Sequence, residues 1–548
     1  MPHPAPHASW LGACLAALLA LPAAAQDMPV RDCRADAAPV LPLVPAGHDA
    51  LVAHATDDLL GPSIFDRVAR TEDGAEIALT TRGFDSYAAQ LPAYLACDMP
   101  FMRVTHAQMT LLADQTGAQD QTRMVPVFFY GWSNGADAVV ARGQTGVQAL
   151  SGAAIATDAV RLDLALQLAQ DVAETPEIRL VDDPAASFAE DAALPFTVVP
   201  APVAERLTAG SVGTGAEGSV AEARQVLTTT SANRVIGDLL VVRQDYLDAN
   251  PEIVRGTVRA LLKAEELFRE DAKKQVVDFA RSAEMVLGDA SREDEMMRLW
   301  RGVETVGLAG QVDWATPTAP RSYRAVVNAG QTAMVETGLI AAAVPLADPP
   351  LDYASLGDDI WDKRRVQTDS FDQDAASAAI RAMSNDEIAE NTIAAVTILF
   401  EPNQASFPVD DYRDAFEEAL NKSRVYAGAV LSIEAHSSYL GYLKGVIQQD
   451  WPVARQKREL ASLRNTSTAR ALAVRDALVA TADELGLAVD DSQITINGRG
   501  IEDPLGGFCD NLPCPPKTEQ EWRESRRVLF RVIGMESEAE VFTPLNEW

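Results

Sequence analysis

The chain has 548 residues, 47% of them hydrophobic, and carries 79 acidic against 46 basic side chains for a formal charge of −33. This length exceeds what one core usually organises, so two or three folded domains are predicted. The negative charge disfavours binding to nucleic acid and to anionic membrane surfaces, because both are themselves negatively charged.

The first 25 residues predict export. An apolar run over residues 10–21 is followed by Pro22 and three alanines at 23–25. This pattern is typical of a secretory signal peptide, assigned to residues 1–25, and it places the mature chain in the periplasm. A lipoprotein signal centred on Cys14 is the alternative. No later run reaches the roughly 18 apolar residues of a membrane span, so no transmembrane segment is expected in the mature chain.

Four cysteines remain after the signal peptide: Cys33, Cys97, Cys509 and Cys514. An even number in an oxidising compartment predicts disulfides, and four cysteines allow three connectivities. The first two fall near the start of the chain and the last two near its end, which favours pairing within each region. No histidine stands beside either pair at zinc-site spacing, so neither a metal site nor a cofactor is predicted.

Residues 26–344 alternate short apolar runs with helical patterns. The predicted buried strands are 77–80, 124–130, 153–157, 178–181, 196–199 and 239–242, and helices are predicted between them over 87–95, 160–172 and 201–207. Such alternation predicts an α/β domain whose parallel or mixed sheet has helices on both faces.

The clearest helix in this region begins after Asn250. Pro251 suits the first helical position and Glu252 suits the positive end of the helix dipole, so Asn250 is predicted to cap the helix. Apolar residues then recur at helical spacing, which indicates an amphipathic helix packed on a sheet.

Three segments of this region resemble one family. The stretches 125–157, 236–254 and 87–102 are similar to the central, returning and early segments of periplasmic solute-binding proteins of ABC transporters, of the nitrate, sulfonate and taurine type. The resemblance implies two α/β lobes joined by crossovers near Val125 and near Leu227. It also implies a small-molecule solute bound in the cleft between the lobes, and an ABC transporter permease as partner.

Candidate cleft residues follow from the resemblance. Ser133 and Asn134 would donate hydrogen bonds to an oxyanion, and Trp132 would offer an apolar or cation-attracting face. The full set of candidates is Thr105, His106, Trp132, Ser133, Asn134 and Asp137. The alternatives are that His106 is an ordinary buried imidazole, that Trp132 is a core or lobe-interface aromatic, and that Asp137 only completes a turn. No catalytic motif stands in the sequence, so the chain is predicted not to be an enzyme.

A change of composition separates a second unit. Residues 345–391 are rich in Asp, Ser and Pro and are predicted to be a linker. Residues 392–548 then predict strands over 396–400, 429–435, 493–498 and 525–532, with helices over 410–420 and 467–485. This order resembles the OmpA-like peptidoglycan-associated domain, an α+β fold.

The OmpA-like resemblance implies a binding site for the diaminopimelate of peptidoglycan. In that family an arginine holds the ligand carboxylate and an aspartate holds its ammonium. Arg470 matches the arginine, whereas the run from His436 has Ser438 where the family has the aspartate. Glu434 and Asp450 are candidate substitutes, and a helix-surface ion pair is the alternative role of Arg470.

These observations predict a two-part periplasmic binding protein. Its front domain captures a small anionic or zwitterionic molecule, and its OmpA-like domain tethers it to the cell wall or outer membrane. The alternative is a structural, peptidoglycan-associated envelope protein whose solute-binding half is degenerate.

Overall fold

The structure, a computed structural model, describes residue 33, residues 37–357 except 60, 145, 217 and 320, residue 360, residues 378, 380, 382–384, 388 and 389, and residues 391–534 except 427, 428 and 486–492. The predicted signal peptide, including Cys14, and most of the predicted linker lie outside the described residues. Among the helices that are described, none is both long and apolar enough to cross a bilayer.

The front region contains eleven strands and fourteen α-helices within its described residues. The strands are β1 (Val40–Leu43), β2 (Thr80–Gly83), β3 (Phe101–Thr105), β4 (Met124–Ser133), β5 (Asp137–Arg142), β6 (Ala154–Thr157), β7 (Glu177–Leu180), β8 (Phe196–Pro200), β9 (Ala223–Thr228), β10 (Gly237–Arg243) and β11 (Val303–Thr305). The helices are α1 (Asp49–Thr56), α2 (Ile64–Val68), α3 (Leu91–Leu95), α4 (His106–Leu111), α5 (Ala113–Gly117), α6 (Leu162–Asp171), α7 (Pro184–Glu190), α8 (Ala201–Thr208), α9 (Gln244–Ala249), α10 (Pro251–Lys273), α11 (Phe279–Leu287), α12 (Glu293–Arg301), α13 (Gly307–Ala315) and α14 (Tyr323–Glu336).

The first lobe is built on an antiparallel sheet in the order β11-β4-β10-β3, and not on the parallel or mixed sheet predicted, because each neighbouring pair of strands is antiparallel. The parallel pair β1-β2 packs beside β3. Strand β4 is buried along its whole length, because the sheet is covered on both faces. The amphipathic helix α10 supplies much of that cover.

The second lobe is a five-stranded sheet in the order β7-β6-β8-β5-β9. Strand β6 is parallel to β7 and β8, while β5 runs antiparallel to β8 and β9. The chain crosses from the first sheet to the second between β4 and β5, and returns between β9 and β10. The first crossing therefore comes after Ser133 and not near Val125, because β4 continues in the first sheet to its end.

The carboxyl-terminal region is an α+β unit. Its elements are β12 (Thr392–Leu399), α15 (Arg413–Val425), β13 (Val430–His436), α16 (Leu440–Gln449), α17 (Val453–Glu484), β14 (Ile494–Gly500), β15 (Phe508–Cys509), β16 (Leu512–Pro513), α18 (Glu519–Glu524) and β17 (Arg527–Ile533). Its main sheet has the order β12-β17-β13-β14, in which β17 is antiparallel to both neighbours and β14 is parallel to β13. Helices α15 and α17 pack on the sheet.

The structure confirms the predicted fold class, a two-lobed α/β domain followed by an α+β domain, and corrects several details. Strand β2 begins at Thr80 and not at Ile77, and α17 begins at Val453, well before the predicted Ser467. Asn250 makes no side-chain capping bond to α10, and its amide donates instead to the carbonyl of Tyr246 in the preceding helix.

The two disulfides join Cys33 to Cys97 and Cys509 to Cys514. This is the within-region connectivity favoured from the sequence.

Part of the predicted linker packs against the front region. Tyr353 and Leu356 are each 2% exposed and belong to the core of the first lobe. The Tyr353 hydroxyl donates to the carbonyl of Val127 in β4 at 2.7 Å. Residues 361–377 lie outside the part of the chain that the structure describes, so the domain boundaries at 344/345 and 391/392 stay predictions.

Candidate functional site

The six residues predicted for the cleft all lie where the two lobes meet. Thr105 and His106 end β3 and begin α4, while Trp132 and Ser133 end β4 at the first crossing. Asn134 and Asp137 complete that crossing. The structure brings these residues together as two groups, one polar and one aromatic.

The polar group locks the two crossing segments to each other. Ser133 donates to the Asp137 carboxylate at 2.7 Å and lies 2.8 Å from the Thr229 hydroxyl of the returning segment. Arg161, at the start of α6, pairs with Asp137 at 2.6 Å and also with Asp158. Each of these groups is satisfied by protein, so the polar group is suited to positioning the lobes.

Asn134 belongs to the same crossing but contributes through its backbone. Its N–H donates to the carbonyl of Gly302 at 2.8 Å, which ties the crossing to the segment before β11. Its side chain is half-buried.

The aromatic group surrounds His106. The imidazole stacks on Trp132 with ring centroids 5.7 Å apart and lies 6.1 Å from the ring of Tyr323 in α14. The guanidinium of Arg321 lies over the Trp132 ring, 5.3 Å from its centroid. The Nη2 of Arg321 also donates to the carbonyl of Arg234 in the returning segment. A capping box formed by Thr105 and Gln108 holds His106 at the first position of α4.

Several polar atoms in this group lack protein partners. His106 and Asn233 are each 1% exposed, yet neither ring nitrogen of His106 and neither amide atom of Asn233 has a hydrogen-bond partner among the described residues. The same holds for Nε of Arg321 and the hydroxyl of Tyr323. A buried polar group without a partner costs about 1–3 kcal/mol, so these atoms are free to bind a small molecule or ordered water. We call His106, Trp132, Arg321 and Tyr323, together with Asn233 one residue before Arg234, the interlobe cluster.

Burial controls the ionisation of the cluster. It lowers the pKa of His106 to about 3, and the charge of Arg321 acts in the same direction. The imidazole is therefore neutral at pH 7 and offers one donor and one acceptor. Burial raises the pKa of Asp163 to about 7, although the backbone N–H of Ala107 bonds its carboxylate at 3.1 Å.

Positive charge gathers at one side of the cluster. Burial, together with the nearby charges of Arg424 and Arg234, lowers the pKa of Arg321 to about 10, although the charge of Asp163 opposes this shift. Arg321 keeps its charge at neutral pH, because that pKa is still well above 7. The interlobe cluster thus combines a guanidinium, neutral hydrogen-bonding groups and an indole face, which is the chemistry that binds a small anion with an apolar part.

A second buried network lies deeper in the first lobe. Arg103, which is fully buried, bonds Asp238 with two nitrogens and Asp49 with a third. Tyr87 and His48 contact the same Asp238 carboxylate at 2.9 and 3.4 Å. Burial alone would raise the pKa of Asp238, but the Arg103 charge lowers it to about 2. This hydrogen-bonded network is suited to fixing the edge of the first sheet beside the cluster.

Sequence reasoning missed several of these residues. Arg161, Asn233, Arg321 and Tyr323 come from segments that carry no motif and that only the folded chain brings together. One available signal was Tyr323, which follows Ser322 at a helix start where that serine caps α14. The ligand role of the six predicted residues stays a prediction.

In the carboxyl-terminal unit, Arg470 of α17 is buried. Its guanidinium donates to the carbonyls of Gln404 at 2.9 Å, His436 at 3.1 Å and Glu401 at 3.4 Å. Burial lowers its pKa to about 10, and the charge of Arg526 adds to the effect. A guanidinium has five N–H donors, so two remain for a carboxylate ligand. Arg470 therefore does not form the helix-surface ion pair that was its alternative role, since no carboxylate within the described residues pairs with it.

The candidate substitutes for the missing family aspartate are placed differently. Asp450 is exposed at the end of α16, whereas Glu434 is 5% exposed on β13 and lies 3.1 Å from His436. Ser438 follows β13 and is half-buried. Glu434 faces Arg499 and Arg531 at 3.5 and 4.0 Å, so its charge is already balanced by protein.

Glu434, His436 and Asp503 present donor atoms within 4.8 Å of one another. Such a set is able to hold a metal ion in other surroundings. Here Arg499 and Arg531 face Glu434, and Arg527 lies 3.6 Å from Asp503. Three guanidiniums around two carboxylates disfavour a divalent cation.

Comparison with known proteins finds no matching family model and no matching curated protein. Among solved structures, the chain is similar to the ligand-binding component of an ABC-type import system from Staphylococcus aureus with zinc bound, at 11% identity and a TM-score of 0.38, over 58% of this chain and 97% of that one. It is also similar to a periplasmic sulfonate-binding protein from Methylobacillus flagellatus, at 14% identity and a TM-score of 0.37, over 58% of this chain and 93% of that one.

A peptidoglycan-associated lipoprotein from Burkholderia pseudomallei is similar over 25% of this chain and 87% of its own, at 18% identity and a TM-score of 0.18. These TM-scores are low, so the functional proposal depends on the geometry of the sites.

Proposed function

We propose that the chain is an exported, non-catalytic solute-binding protein that holds a small anionic or zwitterionic molecule at the interlobe cluster. The observation that carries this proposal is the pair of unpartnered, buried ring nitrogens of His106, whose ring stacks on Trp132 beneath the guanidinium of Arg321. Arg321 would receive the acidic group, and the indole of Trp132 would cover the apolar part. Asp163, close enough to Arg321 to affect its pKa, would receive an ammonium in a zwitterion.

Binding would proceed by closure of the lobes. The two sheets are joined by segments 134–136 and 229–236, and Ser133 and Thr229 bond each other across them. A change of backbone angles in these segments would open the cluster, and closure would exclude water from the ligand. Exclusion of water strengthens each charge-assisted hydrogen bond and so provides discrimination between ligands.

A ligand screen on the full chain without residues 1–25 tests the proposal. Thermal unfolding is measured with sulfate, nitrate, ethanesulfonate, taurine and spermidine at constant ionic strength. A ligand that binds only the folded state stabilises it, by about 2.7 kcal/mol at 100 times its dissociation constant. We expect a rise of several degrees with at least one anion or zwitterion and none with spermidine.

Two arginines provide matched variants. Arg321→Gln should abolish the ligand-induced shift, because it removes the cluster's guanidinium. Arg324→Gln, close by in α14, removes a half-exposed guanidinium that pairs with Asp348 and should leave the shift unchanged. Equal shifts in both variants would show that the ligand binds elsewhere.

We further propose that the carboxyl-terminal unit tethers the chain to peptidoglycan, in the periplasm at the wall or outer membrane, and that a membrane permease accepts the solute. The support for tethering is the placement of Arg470 at the ends of β12 and β13 with two donors to spare. Pull-down on purified sacculi should retain the wild-type chain and the Arg475→Ala variant, which alters an exposed arginine on the same helix. Arg470→Ala should be lost, and its retention would remove Arg470 from the site.

The alternative, a structural envelope protein with a degenerate front domain, is favoured by one observation. Ser133 and Asp137, two of the predicted cleft residues, bond only to protein groups in the structure. A screen without any ligand-induced shift, combined with retention on sacculi, would establish this alternative.

A further inference from the structure

The carboxyl-terminal unit is attached to the second lobe of the front domain. Asp171, at the end of α6, forms an ion pair with Lys422 of α15 at 2.9 Å and accepts a hydrogen bond from the hydroxyl of Tyr426. The side chains of Asp171 and Lys422 are 7% and 13% exposed. Gln148 of the second lobe also donates to the carbonyl of Ile393 in β12 at 3.2 Å.

The same contact surface reaches the interlobe cluster. The backbone N–H of Arg234 donates to the carbonyl of Val425 at 3.3 Å, and the carbonyl of Arg234 accepts a bond from the guanidinium of Arg321. Arg424 precedes Val425 at the end of α15 and is half-buried. We call Arg234, Arg321 and Arg424 the junction arginines. Arg234 lies in the returning segment between the lobes, Arg321 lies just before α14, and Arg424 lies in the carboxyl-terminal unit.

We infer that the carboxyl-terminal unit completes the solute site, with Arg424 supplying a guanidinium to the anion that Arg321 holds. This inference rests on the proposed function of the interlobe cluster. It assigns the unit a part in binding as well as in tethering. The ligand class that fits is a compact oxyanion, such as a sulfonate or sulfate group, whose several oxygens accept hydrogen bonds from more than one guanidinium.

The charges support this assignment. Among the nearby charges, that of Arg424 lowers the pKa of Arg321 most, so the two guanidiniums are close enough to repel each other. Glu304 lies 3.9 Å from Arg234 and offsets part of the positive charge. An anion between the guanidiniums would replace repulsion by attraction. Because the carboxyl-terminal unit is bound to the second lobe through Asp171, such an anion would also resist separation of the lobes.

Sulfate binding to the full chain without residues 1–25 tests the inference by calorimetry at constant ionic strength. Arg424→Gln should weaken sulfate binding about tenfold or more, as expected for loss of a charge-assisted hydrogen bond. Asp171→Asn should weaken it in the same direction, since it loosens the attachment without removing a site charge. Arg413→Gln, on the same helix but paired with Glu484, should bind as the wild type does.

The outcomes separate the inference from the function on which it rests. If Arg424→Gln and Asp171→Asn bind sulfate as tightly as the wild type while Arg321→Gln does not bind, the inference is wrong and the proposed function stands. If the wild type itself does not bind sulfate, the anion site is wrong and the inference fails with it. Circular dichroism and thermal unfolding of each variant confirm that a loss of binding is not a loss of fold.

Discussion

His106 lowers the stability of the unliganded chain at the place where we propose that it binds a ligand. Its ring is buried against Phe129, Trp132 and Tyr323, where an apolar side chain would pack equally well. An imidazole there loses its hydrogen bonds to water and receives none from the described protein groups in return. Natural proteins keep such groups mainly where binding requires them.

We therefore expect His106→Leu to stabilise the unliganded chain by about 1–2 kcal/mol, because the substitution removes two unpartnered buried nitrogens and keeps the volume. Urea unfolding followed by tryptophan fluorescence measures this, since Trp132 and Trp314 lie in the same aromatic group. The variant should also lose the ligand-induced shift. A destabilised variant would show that the imidazole is hydrogen-bonded in solution.

Asp163 predicts a pH dependence of stability. Its pKa is about 7 in the folded chain and near 3.8 in the unfolded chain, so the folded state binds more protons between those values. The stability contribution of Asp163 is therefore complete below pH 4 and is lost as the pH rises through 7. Asp163→Asn keeps an acceptor for the N–H of Ala107 and removes this loss.

We expect Asp163→Asn to have a higher free energy of unfolding than the wild type. This difference between variant and wild type should be about 2–3 kcal/mol larger at pH 8 than at pH 5. Urea unfolding at the two pH values measures it. Asp114→Asn, which removes an exposed aspartate of α5, is the control. A gain that is equal at both pH values would contradict a raised pKa of Asp163 in the folded chain.

For single residues, the sequence identifies only candidates that lie next to a strand or helix with a clear sequence pattern. Trp132, Ser133 and Asp137 were identifiable as candidates because they lie in the segment that resembles the solute-binding family, at and just after the end of β4. Arg161, Asn233 and Arg321 were not, because their proximity depends on two chain crossings and on the packing of α14 over both lobes. Long-range contacts of this kind leave no periodic signal.

Among the strands, β10 needs a glycine at its first position, which its apolar sequence pattern does not predict. Gly237, its first residue, faces His106 and Phe129 so closely that an added Cβ would lie 2.7 Å from Nδ1 of the imidazole and 2.9 Å from the phenyl ring. The glycine is thus needed for space and not for a left-handed backbone. It lets the imidazole lie against the strand.

Gly237→Ala should accordingly destabilise the front domain by about 1–3 kcal/mol and displace His106, since the packed rings must move. Gly330→Ala offers an opposite control. Gly330 lies inside α14 with nothing within 4 Å of its added Cβ, and alanine there should stabilise the helix by about 1 kcal/mol. Thermal unfolding compares the two variants, and a harmless Gly237→Ala would exclude the close packing.

Strands β5 and β9 were not predicted from the sequence, each for its own physical reason. β5 follows β4 after only three residues, so the two together read as one strand and a polar turn, and β9 mixes polar and apolar residues. Helix α10 was predictable from its strong apolar periodicity, but its cap was not. The amide of Asn250 bonds backward to α9 because a Pro at the first helical position already removes one N–H that needs a cap.

In the whole molecule, the front domain and the carboxyl-terminal unit are in contact, although the change of composition between them predicted two units separated by a linker. Apolar residues of the second lobe and of the carboxyl-terminal unit belong to one continuous buried cluster. The formal charge of −33 makes the units repel at long range, so their association depends on short-range contacts. The ion pair of Asp171 with Lys422 is the most buried polar contact among the described salt bridges between these two parts.

Removal of Asp171 should therefore release the carboxyl-terminal unit. Asp171→Ala would leave the hydroxyl of Tyr426 without its acceptor and Lys422 with only its 3.8 Å contact to Glu418, a loss of about 3 kcal/mol from the contact between the two parts. We expect an increased radius of gyration by X-ray scattering and a second calorimetric transition, because the two parts would unfold separately. Glu190→Ala, an exposed change in the same lobe, should alter neither measurement. An unchanged radius of gyration in Asp171→Ala would mean that the apolar contacts alone hold the unit against the second lobe.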